Sequence, residues 1–410
     1  MNDVQQLVDA LYKKSFGQLV ASLLVLSRDI DPDAAEDIVQ DSFAKALEAW
    51  RKDGVPLNAA GWIYRVCLNQ ALNFIKDQKT ISLDQHNDSP DMEERFSESV
   101  LDDYTLRLLF ACANPMLAPK IQVAITLKYV CNLKVEAIAK TLAITVDGVD
   151  KLLLRARQRI RDEKMLLSEP PPSALNARLA SVHKVLYLLF NEGYKASWGP
   201  EILREELCEE ALLATKSLLE SPYGDKNTAA LYALMLFNSA RFKARFGNDG
   251  ELVELENQDR TKWNSDMIHL ATHYLNESRV DDPTTYHLEA SIAYLHCSAA
   301  HFIDTNWTTI AGLYQRLLER QPNPFAELSC AIALYYAGEK TIAFRLLDGL
   351  RKHPFIGQYY LLNATLGKLH QLEGNNEQAR LFLEKALRQT TFHKEQQLIQ
   401  RKIDQMSELS

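Results

Sequence analysis

The sequence lacks most of the patterns that mark membrane proteins and enzymes. Its 410 residues contain no apolar run near the ~20 residues that a membrane-spanning helix needs, and from the amino-terminal residues we expect no signal peptide. A glycine-rich phosphate loop and a Gly-x-Ser-x-Gly motif are both absent. We therefore expect a protein that is not an enzyme and that stays in the cytoplasm.

Cysteine and histidine are also arranged without a metal-binding pattern. None of the six cysteines belongs to a Cys-x-x-Cys pair, which favours reduced thiols that act as small apolar residues. His269 and His273 stand one helical turn apart and could share a metal ion. Further candidate ligands are His296, Cys297 and His301. No glutamate directly follows His269 to act as the base of a zinc hydrolase, so we predict neither a metal nor any other cofactor.

The charge of the chain is concentrated in short segments. Lys and Arg total 46 against 54 Asp and Glu, which gives a net charge of −8. Residues 104–165 nevertheless hold 11 basic and 5 acidic side chains, whereas residues 78–103 hold 2 and 8. A basic segment inside an acidic protein is where contact with the phosphates of DNA should be sought.

Apolar residues recur with a helical period almost throughout, so the fold class is predicted to be all-α. Two breaks divide the chain. Residues 78–103 are acidic and poor in apolar residues, which is typical of a flexible linker. Pro170, Pro171 and Pro172 together cannot continue a helix. The predicted structured blocks are 1–77, 104–167 and 173–410.

In the first block, Asp31 as the cap and Pro32 in the first turn predict a helix that runs to about Trp50. Its apolar residues recur every three or four positions and form one stripe. Acidic and amide side chains lie on or beside the opposite face, and these are Asp33, Glu36, Asp37, Gln40 and Asp41. By itself this pattern is also that of a solvated surface helix.

A second helix is predicted from Ala59 to Lys76, with Asn58 as its cap. It mixes aromatic, amide and basic side chains. Such residues can hold an opened DNA strand, since rings stack on bases, amides read base edges and cations contact phosphates. The candidate residues are Asn58, Trp62, Arg65, Asn69, Asn73 and Lys76. Trp62 and its neighbour Tyr64 could equally be core residues.

The basic segment contains a sharper pattern. We predict helices over Ala118–Val130 and Val135–Leu142, then a tight connection and a third helix that Thr145 caps and that ends near Lys164. A short helix, a turn and a longer helix make up a helix-turn-helix, whose second helix enters the major groove of DNA. The candidate DNA contacts are Thr145, Lys151, Arg155, Arg157 and Arg159. The alternative is a basic surface helix in an unrelated α-bundle.

The inner side of this helix-turn-helix should be apolar. Ala137 is small enough for the two helices to cross closely. Between them we expect Leu142, Ile144, Val149 and Leu152 to fill the space.

These blocks together resemble the extracytoplasmic-function sigma factors of bacterial RNA polymerase, which carry sigma regions 2 and 4. Residues 33–43 (DAAEDIVQDSF) resemble the region 2 helix that docks on the β′ clamp of polymerase. On that resemblance Asp37, Gln40 and Asp41 would contact polymerase. Residues 61–69 (GWIYRVCLN) resemble the helix that melts the promoter and reads its −10 element.

The basic block carries the rest of the resemblance. Residues 136–139 (EAIA), with Val149 and residues 155–157 (RAR), are similar to the region 4 helix-turn-helix that reads the −35 element. The resemblance implies that the chain binds the core polymerase at the β′ clamp and the β flap, binds promoter DNA, and directs transcription initiation without covalent chemistry. Residues 1–77 would form region 2 and residues 104–167 would form region 4.

The carboxy-terminal block is an addition, because ordinary members of that family stop near residue 170. It is predicted to be helical, and four positions recur 36 residues later. Ala331, Gly338, Ala343 and Leu347 recur as Gly367, Gly374, Ala379 and Leu383. Small residues at fixed positions with a period near 34 residues suggest tetratricopeptide-like hairpins, with a generic helical array as the alternative.

Residues 189–194 (LFNEGY), 248–252 (NDGEL) and 258–260 (QDR) with Trp263 resemble the extension of one subgroup of these factors. That subgroup carries a tetratricopeptide-containing domain that is thought to control the factor. The candidate regulatory residues are Asp249, Gly250 and Glu251. The acidic array could hold the basic recognition helix off DNA, bind a protein partner, or be required for activity.

A different class of protein would use the same DNA-binding helix. A helix-turn-helix regulator with a tetratricopeptide-like sensor for a peptide or small molecule would bind a duplex operator alone. It would have no use for the acidic helix at 33–50 or for the aromatic helix that follows. A sigma factor would instead copurify with core polymerase and start transcription.

Overall fold

The computed structural model describes residues 2–26, 30–56, 58–78, 109–130, 133–142, 144–162, 172–195, 202–247 and 249–408. These residues are mostly helical, which confirms the predicted all-α class. The predicted linker at 78–103 lies, apart from residue 78, outside the described residues. In the part of the chain that the structure describes, no helix is both long enough and apolar enough to cross a membrane.

The chain folds into two compact units. The described residues up to 195 and those from 203 to 224 form the first, and residue 202 with residues 225–408 forms the second. The first unit therefore extends well past Pro172, where the sequence suggests the start of a separate block.

The amino-terminal part of the first unit consists of three helices that pack on one another. They are α1 (Asn2–Leu26), α2 (Pro32–Asp53) and α3 (Ala59–Gln78). Asp31 caps α2 as predicted, because its Oδ1 accepts the backbone N–H of Ala34 at 2.9 Å. Asn58 caps α3 in the same way and accepts the backbone N–H of Gly61 at 2.9 Å. Both caps satisfy amide groups that a helix start otherwise leaves unpaired.

The predicted helix-turn-helix is present. Its helices are α4 (Pro119–Tyr129), α5 (Val135–Thr141) and α6 (Val146–Asp162). Thr145 caps α6, since its hydroxyl accepts the backbone N–H of Gly148 at 3.1 Å. Ala137 and Val149 are buried as expected. Leu152, however, is only partly buried, because Leu153 lies one turn after Val149 and takes the core position.

Two further helices complete the first unit. They are α7 (Pro172–Tyr194), which packs on α4 and α5, and α8 (Glu205–Glu220), which packs on α7. The guanidinium of Arg178 donates to the carbonyl oxygen of Phe110 at 2.9 Å, and the hydroxyl of Thr141 donates to Glu192 at 3.3 Å. These contacts explain why the unit does not end at the triple proline.

The second unit is a succession of helices that pack on one another. They are α9 (Lys226–Ser239), α10 (Ser265–Glu277), α11 (Thr285–Ser298), α12 (Trp307–Arg320), α13 (Pro324–Tyr336), α14 (Lys340–Leu350), α15 (Tyr360–Leu372), α16 (Asn376–Gln389) and α17 (His393–Glu408). Gly338 and Gly374 occupy equivalent turns, with φ of 95° and 76°. Only glycine adopts such angles without steric cost. The 36-residue spacing therefore corresponds to two successive helical hairpins, α13–α14 and α15–α16; their tetratricopeptide character stays a prediction.

Candidate polymerase and nucleic-acid interface

The exposed side of α2 carries the three residues predicted to contact polymerase. Asp37, Gln40 and Asp41 are all exposed, and they lie within one or two turns on one side of the helix. Asp41 forms an ion pair with Lys45 at 2.8 Å, and both side chains are about half exposed. An acidic surface that water can reach is therefore present where the sequence predicts a polymerase contact.

The two acidic residues that precede this surface are already engaged. Asp33 forms an ion pair with Arg157 at 3.2 Å, and Glu36 forms one with Lys128 at 3.3 Å. Arg157 belongs to α6 and Lys128 to α4, so these contacts join α2 to the helix-turn-helix. This pairing could not be predicted from the sequence, because 124 positions separate Asp33 from Arg157 and no local rule specifies which basic residue an acidic one will meet.

The residues of α3 that are predicted to hold the opened strand form a single stripe. Asn58, Trp62, Arg65, Asn69, Asn73 and Lys76 follow one another at spacings of three or four positions, which is the spacing of one helix face. All except Trp62 are exposed. The opposite face of α3 is buried in the three-helix core.

Trp62 combines the two interpretations that the sequence left open. Its side chain is partly buried, and its ring meets that of Trp50 edge-on at a centroid distance of 5.6 Å. Trp62 therefore packs on the core from one side while the other side borders the polar stripe of α3. A ring held in this way is pre-organised for stacking, because it loses little side-chain freedom on contact with a base.

The exposed face of α6 is basic. Lys151, Arg155 and Arg159 stand four residues apart on one side of the helix, and all three are exposed. Lys151 pairs with Asp147 at 2.7 Å, and both of these side chains remain largely accessible. Thr145, also exposed, lies at the beginning of α6. These four predicted contacts therefore share an accessible surface of the recognition helix.

Arg157 lies on the other side of α6. Its Nε donates to the hydroxyl of Tyr129 at 3.2 Å, and it is the residue that pairs with Asp33. Burial raises the pKa of Tyr129 to about 12, so the hydroxyl stays protonated. Burial alone would lower the pKa of Arg157, but the interactions with Tyr129 and Asp33 outweigh it and raise that pKa. DNA contact by Arg157 stays a prediction, and it would require release from Asp33.

The predicted regulatory motif forms a tight turn in the second unit. Phe246 and Leu252 pair in an antiparallel bridge, and Gly250 turns the chain with φ of 72°. The backbone N–H of Asp249 donates to the carboxylate of Glu251 at 3.1 Å. Asp249, Gly250 and Glu251 thus have a structural role in shaping the hairpin, and their regulatory role stays a prediction.

The predicted metal candidates are not assembled into a site. His269 and His273 are both exposed on α10. Within the described ranges, no group of three or more His, Cys, Asp or Glu side chains is placed to hold a metal ion.

Comparisons with known proteins cover much of the chain. Residues 14–81 match sigma-70 region 2, a range that includes α2 and α3. Residues 178–279 match a family of unknown function, DUF6596. An uncharacterized protein of Rhizobium meliloti (strain 1021) is 31% identical over 399 residues, which cover 95% of this chain and 93% of that protein. No solved structure matches the chain.

Proposed function

We propose that this chain, whose residues 14–81 match sigma-70 region 2, is an extracytoplasmic-function sigma factor of the sigma-70 family that directs promoter-specific transcription initiation. Its region 2 supports a role in binding RNA polymerase and in initiation. The observation that carries the proposal is the exposed acidic side of α2, with Asp37, Gln40 and Asp41, next in sequence to the exposed polar stripe of α3. A regulator that binds only duplex DNA would use neither surface.

In this proposal α2 binds the polymerase core at the β′ clamp. Asp37 and Asp41 supply negative charge to a complementary basic surface, which favours both the rate and the specificity of association. Gln40 adds a donor and an acceptor between them. The ion pair between Asp41 and Lys45 is exposed, so the loss of this pair on docking costs little.

The stripe of α3 then captures the opened −10 strand. Unstacking of duplex DNA costs a few kcal/mol per base step, and stacking of a freed base on an aromatic ring returns about 1–3 kcal/mol. Trp62 is the ring available for this contact, while Arg65 and Lys76 are placed to approach phosphates. Asn69 and Asn73 carry the amides that can read base edges.

The basic face of α6 anchors the protein at the −35 element. Lys151, Arg155 and Arg159 would contact phosphates and bases in the major groove. Arg157 would join them after leaving Asp33. We therefore propose that engagement of polymerase and promoter replaces the ion pairs that join α2 to the helix-turn-helix.

The second unit is proposed to control this activity, through an intramolecular contact or through a protein partner. The structure suggests where to cut the chain for a test. A truncation after Glu169 would remove α7 from α4 and α5 and expose apolar surface, whereas a truncation after Gly224 leaves the first unit whole. If the shorter chain drives transcription better than the full chain, the second unit is inhibitory; if activity is lost while circular dichroism shows a folded protein, it is required.

The polymerase contact is tested by charge reversal. We expect Asp37→Lys to weaken binding to core polymerase roughly ten-fold or more, because a like charge then faces the basic clamp. Asp53→Lys is the matched control, since Asp53 is exposed at the far end of the same helix and on a different side. Equal binding by both variants and the unchanged protein, measured by fluorescence anisotropy, would contradict the proposed docking surface.

A further inference from the structure

The outer face of α6 carries more than basic side chains. The buried residues of this helix mark its inner side, and they are Val149, Leu153, Ala156 and Ile160. At about 100° per residue, four exposed side chains lie opposite them, and these are Asp147, Lys151, Leu154 and Gln158. Asp150 and Arg159 are also exposed but lie on the two flanks of this face. The centre of the face therefore holds an acidic, a basic, an apolar and an amide side chain.

The position of these residues along α6 matters as well. In a helix-turn-helix, the first residues of the recognition helix contact base edges. Contacts to phosphates orient the protein without reading the sequence. Asp147 and Lys151 lie in the first two turns of α6, so they are placed for base edges, whereas Arg159 lies two turns further on.

Asp147 and Lys151 form an ion pair that can exchange partners. Their Oδ2 and Nζ atoms lie 2.7 Å apart, and the two side chains retain 73% and 64% of their exposure. Such an exposed pair contributes little to stability, so its rearrangement costs little. Phosphates repel a carboxylate, so an acid at the centre of a surface that faces DNA needs a compensating contact there.

One base pair provides contacts for both charges. In the major groove, cytosine presents its N4 amino group as a donor, and guanine presents O6 and N7 as acceptors. The carboxylate of Asp147 can accept from N4, while the ammonium of Lys151 donates to the guanine. In an A·T pair the amino donor of adenine lies between two acceptors, which would repel the carboxylate.

Leu154 adds an apolar group to the same face. Its side chain is 52% exposed. A single exposed leucine is ordinary on a protein surface, but Leu154 stands between Lys151 and Arg155, and these cations would bring it against DNA. The apolar group that the major groove offers is the methyl group of thymine.

We propose that the centre of the outer face of α6 determines promoter specificity, with Asp147 and Lys151 together reading one C·G base pair and Leu154 contacting the methyl group of a nearby thymine. This inference rests on the proposed function and names the bases that the recognition helix selects. Arg155 and Arg159 would hold the helix against phosphates beside them.

Selection from a pool of duplexes tests the C·G contact. The pool has a randomised upstream segment, and the duplexes that bind the complex of the full chain with core polymerase are sequenced. The unchanged protein should select a segment with one dominant C·G pair. Asp147→Asn should weaken the preference at that position roughly five-fold or more, whereas Asp150→Asn, which removes the same charge from the flank, should keep it.

Binding to an unrelated duplex separates this role from a structural one. Asp147→Asn and Asp150→Asn each remove a negative charge close to phosphates, so both should bind such a duplex at least as tightly as the unchanged protein. A variant with a damaged helix would instead lose this affinity. The two acids should therefore differ in base preference alone.

Replacement of thymine by deoxyuridine tests the contact of Leu154, because it removes only the methyl group. In the selected segment, one such replacement should weaken binding by the unchanged protein about four-fold, which is the worth of one buried methyl group. Leu154→Ala should bind both duplexes equally. Leu213→Ala, at an exposed site on α8, should keep the difference.

The outcomes distinguish the inference from the function on which it rests. If Asp147→Asn selects the same bases as the unchanged protein, the C·G contact is wrong. If no thymine replacement weakens binding, or if Leu154→Ala responds like the unchanged protein, the thymine contact is wrong. If no upstream segment is enriched with any of the proteins, the proposed function fails together with this inference.

Discussion

One ion pair of the first unit, Arg157 with Asp33, is more exposed than one of the second unit, Lys402 with Glu254. In the first unit, the side chains of Arg157 and Asp33 retain 30% and 48% of their exposure. In the second unit, those of Lys402 and Glu254 retain 16% and 27%. Exposed pairs contribute little and weaken in salt, whereas removal of one partner from a buried pair is costly. The first pair therefore suits a contact that has to open, and the second suits a contact that stays closed.

The ion pairs of the two units also connect different functional parts of the protein. The pairs of the first unit engage an arginine of the recognition helix and an acid beside the predicted polymerase surface. The pairs of the second unit join Glu254 and Glu256 to Lys368 and Lys402, and they involve none of the predicted DNA contacts. A change in one set should therefore alter interactions with DNA and polymerase, while a change in the other should alter the stability of the second unit.

The largest expected effect concerns His296 of α11 in the second unit. Its pKa is lowered to about 4 from 6.5, so the unfolded chain binds a proton more readily than the folded one. Stability is then full above pH 6.5 and falls as the pH decreases from 6.5 towards 4, by roughly 3 kcal/mol in total. Hydrogen exchange of α11 and α12 across this pH range measures it, and His296→Phe should remove most of the dependence. A similar pH dependence in the variant would contradict the assignment.

The next effect breaks the ion pairs of Glu254, which are partly buried and less exposed than the pair of Arg157 and Asp33. Glu254→Gln should destabilise the second unit by roughly 1–3 kcal/mol, because Lys368 and Lys402 lose a shared carboxylate. Urea unfolding followed by hydrogen exchange measures the loss. Glu319→Gln, at an exposed position on α12, is the control and should change stability by less than about 0.5 kcal/mol.

Glu254 should give the stability of the second unit another pH dependence, at lower pH than that of His296. Burial acts to raise the pKa of Glu254, but Lys402 and Lys368 outweigh it and bring the pKa below 4.5. The stabilisation is therefore present above pH 4.5 and is lost as the pH falls through the lowered pKa. Glu254→Gln should lack this loss below pH 4.5, and persistence of the same acid dependence in the variant would assign it to another group.

A smaller effect concerns the exposed face of α6. Arg155→Ala should lower the slope of log affinity against log salt concentration by about one, because one phosphate contact is lost. The measurement is promoter binding by the complex with core polymerase at several salt concentrations. Arg157→Ala tests whether Arg157 leaves Asp33 in the complex. If Arg157 leaves Asp33 and contacts DNA, this variant should also lower the slope; if it stays paired, the slope should not change. An unchanged slope for Arg155→Ala would mean that α6 does not lie on DNA.

The smallest effect concerns the partly exposed pair of Arg157 and Asp33 in the first unit. Asp33→Asn removes the ion pair with Arg157 and should destabilise the contact between α2 and α6 by less than about 1 kcal/mol. Hydrogen exchange of α6 should rise slightly in low salt, and the difference from the unchanged protein should shrink in 1 M salt. Asp53→Asn serves as the control. A difference that persists in high salt would indicate that packing, and not the ion pair, stabilises the contact between α2 and α6.

The local parts of the fold could be predicted from the sequence. Asp31, Asn58 and Thr145 were expected as caps, and each accepts a backbone N–H three positions later. Helix starts are predictable in this way because the cap and the amide groups that it satisfies are neighbours in sequence. The stripe of α3 and the basic face of α6 follow from the helical period alone, so their exposure was also accessible to sequence reasoning.

The long-range contacts were not predictable. The sequence did not indicate that α7 covers the helix-turn-helix, that Arg157 meets Asp33, or that Leu153 takes the core position in place of Leu152. It also placed His296 among metal candidates, whereas the structure places it in the wall of a cavity. Each of these outcomes depends on which helices pack together, and a single sequence has no local signal for that choice.

The central claim is tested most directly by transcription in vitro. Purified full chain would be combined with core RNA polymerase and a pool of genomic fragments, and the transcript starts would be sequenced. We expect transcripts that begin at discrete positions, each preceded by two shared sequence elements, and that disappear with Asp37→Lys. Binding of the protein to duplex fragments without polymerase, together with no new transcripts in its presence, would contradict the account and favour a conventional regulator.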